Sequence, residues 1–160
     1  MLHRARKWAV KLGGIDSALG TAASSVVGKL ALTQPRERAS CLVHGTFYAR
    51  HLLDLGDGPG VIDWQRFGQG PAELDAGMFL ATVWRLGLRD KLLATEAEQV
   101  EKAFLAGAAQ LLDERALAWH RAAALLRLTD KLSSRQSEWP AGTQQALLGE
   151  AARLVELAGA

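Results

Sequence analysis

Between Cys41 and Trp64 the chain reads CLVHGTFYARHLLDLGDGPGVIDW, and this stretch limits its folding options more than any other. An apolar run ends at His44-Gly45. A polar loop follows, then a short apolar run at Leu52 and Leu53. Gly56, Asp57 and Gly58 form a turn signal leading into Val61 and Ile62, which deliver Asp63 beside Trp64. The order is strand, loop, strand, turn, strand. Tight turns fold consecutive strands back on each other, so residues 41–64 are expected to form a small antiparallel sheet. His44 and Asp63 would then meet near one end. Polar groups held at the end of a small sheet suit phosphate and metal chemistry.

The rest of the chain predicts helices. Residues 2–12 and 15–32 read as two helices broken at Gly13-Gly14, and Thr33–Ser40, with Pro35, as a polar connector. Gln65–Pro71 reads as a loop. Leu74, Met78, Ala81 and Leu86 recur at helical spacing, with Trp84 close by, and predict a buried helix from Ala72 to Leu86. Thr95, with Glu98 three residues on, has the spacing of a capping box and predicts a helix to about Leu112. Another helix is expected from Glu114 to Leu132. Ser133–Gly142, with Pro140, reads as a loop, and Thr143 as the cap of a last helix to Leu157. The expected fold class is therefore α+β, mainly α: one small sheet on a helical bundle. The expected organisation is a single domain over 1–160, with a helical lead-in (1–40), a site segment (41–71) and a bundle (72–160).

Composition narrows the function. A chain of 160 residues can bury a real core, and 49% hydrophobic with 22% charged residues suits a soluble globular protein. A net charge of +2 is too small to argue for nucleic acid. No apolar run nears the roughly 20 residues that span a bilayer, so no membrane partner is expected. The lone Cys41 cannot form an internal disulfide, which makes a reducing, cytoplasmic setting the default. The basic start, MLHRARKWAVK, fits a solvated helix better than a targeting segment.

At His44-Gly45 and Ile62-Asp63-Trp64 the chain resembles the aminoglycoside phosphotransferase and choline kinase-like enzymes. In those enzymes a His-Gly-Asp loop is followed by four residues and then Asn, and a later Ile-Asp-Trp carries a metal-binding Asp. The segment Gly68-Gln69-Gly70-Pro71-Ala72-Glu73-Leu74-Asp75 resembles their Gly-rich turn into a helix bearing an Asp. The resemblance implies a protein-kinase-like C-terminal lobe, ATP and Mg2+ as cofactors, and a small-molecule hydroxyl as phosphate acceptor. It also implies that His44 braces the loop, that Asp75 holds it by hydrogen bonds, and that Asp63 is a metal ligand.

Two positions depart from the pattern. The catalytic Asp falls on Thr46 and the metal-binding Asn on His51. A threonine hydroxyl is not a base near neutral pH, and magnesium prefers oxygen to the nitrogen that His51 offers. Nothing before Cys41 reads as a phosphate-covering loop or an ATP-contacting Lys, so the chain looks like a C-terminal lobe alone.

Each site residue also has a plainer reading. On spacing alone, Asp63 serves equally as a turn residue that caps backbone. His44 titrates near neutrality and could act as an acid–base instead of a brace. His44, His51 and Asp63 could form a new metal site preferring zinc or manganese. Tyr48 and Arg50 could contact phosphate or substrate. Trp64, Trp84, Trp119 and Trp139 are expected to pack rather than stack on bases, and His120 to be a surface or packing residue. Three functions stay open: a small-molecule phosphotransferase, a non-catalytic kinase-like subunit that complements a separate N-lobe chain, and a structural remnant.

Overall fold

The computed structural model describes residues 1–36, 40–89, 91–133 and 139–160. Among them are six helices: α1 (Leu2–Gly13), α2 (Ser17–Leu32), α3 (Ala72–Gly87), α4 (Lys91–Ala108), α5 (Glu114–Leu132) and α6 (Thr143–Gly159). Four short strands lie between α2 and α3: β1 (Cys41–Val43), β2 (Leu52–Asp54), β3 (Pro59–Val61) and β4 (Gly68–Gly70). The architecture is α+β and mainly helical, as expected. No described helix is long and apolar enough to cross a membrane.

Helix α5 is the hub. Its Ala- and Leu-rich middle, Ala122–Leu126, is buried throughout, which suits a helix enclosed by others. It packs against α1, α2, α3 and α6. Leu125, Leu126 and Leu128 are fully buried with Leu12, Leu30 and Leu147, and each such side chain contributes about 1.5–3 kcal/mol relative to exposure. The α3–α5 contact is closest at Gly77, where an added Cβ would lie 2.7 Å from the Arg121 amide nitrogen. Arg121 itself is buried on α5, and its guanidinium Nη2 donates to Glu101 Oε2 of α4 at 2.9 Å. Trp119 donates its indole N–H to the Leu30 carbonyl at 2.8 Å, tying α5 to α2.

The strands differ from expectation. Residues 41–64 do not form one sheet. β2 pairs with β3 (Leu52 opposite Val61), while β1 pairs with β4 (Cys41 opposite Gly70). The Gly68–Gly70 segment, expected as loop, is thus a strand. Gly-Gln-Gly has little intrinsic strand preference, so its pairing comes from the partner strand and not from local sequence.

Three helix starts also differ from their expected positions. Asp16 caps α2, accepting from the backbone N–H groups of Ala18 and Leu19, so this helix begins at Ser17 instead of residue 15. α4 begins at Lys91, which puts Thr95 inside the helix and not at its cap; it ends at Ala108, short of Leu112. The chain must turn there because the Asp113 N–H is held by Glu73 Oε1 of α3 at 2.8 Å, while the Asp113 carboxylate caps α5. In α6 the cap is Gly142, at φ 81°, and Thr143 is the first helical residue, donating its hydroxyl to the Pro140 carbonyl. Residues 37–39 of the expected connector and 134–138 of the expected loop lie outside the described residues.

Candidate functional site

The loop after β1 is anchored from three directions. Asp75, in the first turn of α3, accepts the His44 N–H on Oδ2 at 2.5 Å and the Gly45 N–H on Oδ1 at 2.9 Å. His44 Nε2 lies 2.8 Å from the Ile62 carbonyl. A carbonyl can only accept, so this nitrogen carries the proton and ties the loop to the chain just after β3. Gly45 sits at φ 76°, and a Cβ there would run into the Arg66 carbonyl, so the position admits only glycine. Further on, Phe47 stacks on Phe79 of α3 at 5.4 Å, and the Ala49 N–H donates to Thr82 Oγ1 at 3.0 Å. The geometry brings His44 and Asp75 together as loop supports.

Asp63 reaches the same place by an unusual backbone. At φ 67° it is the single non-glycine residue of positive φ among those described, in a conformation Asp tolerates better than most residues. Its Oδ2 lies 3.3 Å from Nε2 of His51, which ends a 3₁₀ turn (Ala49–His51). The His44 and His51 rings stack at 5.2 Å, and Tyr48 meets His51 edge-on. Burial holds the His51 pKa below its ordinary value and Arg50 pushes the same way; Asp63 pulls upward less strongly than either, and the downward push of His44 and the upward pull of the Thr46 backbone are smaller again. His51 is therefore neutral at pH 7, and its contact with Asp63 is not an ion pair. Thr46 is buried between these groups in sequence and carries no ionisable side chain.

These residues do not fit a magnesium clamp. The donor set is one carboxylate and one imidazole, whereas magnesium takes oxygen ligands in near-octahedral geometry. Among the described residues no three His, Cys, Asp or Glu side chains are placed to hold a metal ion. His44 cannot supply the third donor through Nε2, because the Ile62 carbonyl occupies it.

Tyr48 and Arg50 stand slightly apart. The Tyr48 ring is buried, and its hydroxyl accepts from Lys131 Nζ of α5 at 2.7 Å. Arg50 is exposed and lies over the Tyr48 ring, 4.4 Å from its centre. Lys131 and Arg127, also of α5, approach the same ring at 4.9 and 5.9 Å. Sequence reasoning missed these two partners. Their i, i+4 spacing was the available signal, but it reads as ordinary surface patterning until the fold sets it against residue 48. His120 is a packing residue: it meets Trp119 edge-on, and burial lowers its pKa to about 4.

The model of a phosphotransferase enzyme family matches residues 2–120. The chain belongs to that family. No curated protein and no solved structure matches it. In this phosphotransferase-family chain the matched region contains the whole supported loop, with His44, Thr46, His51, Asp63 and Asp75, whereas Arg127 and Lys131 lie beyond it. Membership makes the chain kinase-like, and the family generally uses ATP and magnesium.

Proposed function

We propose that this chain is a kinase-like lobe that keeps the loop architecture of a phosphotransferase acting on small-molecule hydroxyls, and that by itself it does not transfer phosphate. The observation that carries the reading is the contrast within one loop. The supports are intact: both Asp75 oxygens, His44 Nε2 and Gly45 are engaged. The reacting positions are not, since Thr46 offers no base and neutral His51 offers nitrogen beside the lone carboxylate of Asp63. General-base assistance is worth about 10²–10⁴-fold in rate, and metal charge neutralisation comes on top of it.

The test is ADP formation by the purified chain with ATP, magnesium and a panel of alcohols, sugars and amino alcohols. No acceptor-dependent turnover is expected, nor is any expected from Thr46→Asp or from Thr46→Asp with His51→Asn. Robust turnover by the unmodified chain would show that the reacting groups lie elsewhere.

A partner-subunit role is the second reading. It is favoured by the exposed side chains Leu42, Ile62, Trp64 and Phe67 around the site segment, more apolar surface than an isolated lobe needs there. Turnover that appears only when an N-lobe chain is added supports this version. Failure of any such chain to co-purify counts against it.

A further inference from the structure

Helix α4 differs from the rest of the bundle. Each of the other five helices buries at least three residues, whereas residues 92–108 of α4 include none that is buried. Its inward side chains include Ala97, Glu101, Phe104 and Leu105, all half-buried. The apolar three meet a satellite core of Phe79, Leu80 and Val83 on α3, separate from the main core around α5. A helix with so few buried contacts belongs to the low-stability end of a structure and opens before the elements it lies on.

Both ends of α4 are tied down. At its start the backbones run close together: a Cβ added at Gly87 of α3 would lie 3.1 Å from the Ala94 Cα. Beyond its end Glu73 holds the Asp113 N–H. Between these ties two contacts keep it docked. Glu101 accepts from the Arg121 guanidinium on both carboxylate oxygens. Arg121 is buried, and among the described residues Glu101 is the carboxylate it pairs with, so lifting α4 strips a buried cation of its partner. Phe104 is the second contact, 4.8 Å from Phe79 between ring centres.

The same satellite core holds the loop after β1, through Phe47, Ala49 and Leu52. Phe47 stacks on Phe79 at 5.4 Å and lies 5.7 Å from the His44 ring. Phe104, Phe79, Phe47 and His44 thus form one row of rings from α4 to the loop. Close-packed side chains transmit strain, so lifting Phe104 removes a wall that keeps Phe79, and with it Phe47, in place.

We infer that α4 is a strap with two states, docked and lifted, and that its docking orders the loop carrying Thr46 and His51. This goes beyond the proposed function: whatever displaces α4 is felt at the loop, whether or not phosphate is transferred.

Native-state hydrogen exchange on the full chain, followed over urea concentrations below the unfolding transition, tests it. The loop reporters are the Ala49 N–H, held by Thr82, and the His51 N–H, held by the Tyr48 carbonyl. These amides and those of α4 are expected to share one isotherm, at faster exchange than Leu125–Leu128 of α5. Glu101→Gln and Phe104→Ala should each speed exchange in α4 and in the loop by the same factor, about tenfold or more, for the loss of one charged partner or one packed ring. Lys102→Ala, on the exposed side of α4, is the control and should change neither. Circular dichroism verifies that the variants are folded, and the isotherms of the unmodified chain decide the matter if one is not. Amides of α4 that exchange together with those of α5 overturn the strap. Loop amides on an isotherm of their own, or unchanged when a variant speeds α4, overturn the coupling. An equal effect of Lys102→Ala overturns the assignment of the two docking contacts.

Discussion

Replacing Asp75 with alanine tests the central structural claim, that one carboxylate on α3 holds the loop after β1. Asp75→Ala removes two charge-assisted hydrogen bonds and leaves the N–H groups of His44 and Gly45 without their acceptor. Such bonds contribute about 1.5–3 kcal/mol each, and the lower end applies because both are only partly buried, giving about 3 kcal/mol. The carboxylate also sits in the first turn of α3, where a negative charge adds about 0.5 kcal/mol. The expected loss is therefore about 3–4 kcal/mol. For a chain of this size each kcal/mol moves Tm by about 2–4 °C, so thermal unfolding should drop by about 6–16 °C. Asp75→Asn should recover little, since it offers one acceptor and turns an NH2 toward the other N–H. Asp57→Ala, in the exposed turn between β2 and β3, is the control. Hydrogen exchange adds a local measure: the His44 and Gly45 amides should lose protection before the amides of α5 do. A Tm drop no larger than that of Asp57→Ala, with both amides still protected, would refute the reasoning.

Gly77→Ala should destabilise the protein by about 1–3 kcal/mol, because the new methyl meets the α5 backbone at Arg121 and His120 and the helices must separate; a neutral or raised Tm contradicts that contact. Stability should fall as pH drops from about 6.5 toward 4, because buried His120 stays neutral to about pH 4 while the unfolded chain takes up its proton near 6.5. His120→Gln should flatten that slope, by at most about 3 kcal/mol across the window, and identical denaturant midpoints at each pH would rule the assignment out. Magnesium alone should bind weakly. Tight magnesium binding abolished by Asp63→Ala would restore the clamp, whereas zinc or manganese binding lost in His51→Ala would identify an imidazole-based metal site.

Local signals made much of this chain legible. Apolar residues at helical spacing located α3, because a buried helix face repeats every three to four residues whatever it packs against. Glycines and prolines located the breaks for the same local reason. His44-Gly45 and Ile62-Asp63-Trp64 pointed to the loop and its family, and the fold brings His44, His51, Asp63 and Asp75 into one place. Other features depend on partners far away in sequence. Gly68–Gly70 becomes a strand only because β1 lies beside it. α4 stops at Ala108 because Glu73, forty residues earlier than Asp113, holds the Asp113 N–H. Tyr48 reads as one loop aromatic in the sequence; only the packing of the bundle sets Arg127 and Lys131 of α5 over its ring beside Arg50. Propensity and periodicity act over a few residues, so they fix elements. Which elements meet, and which charges they force together, is decided by burying the core around α5.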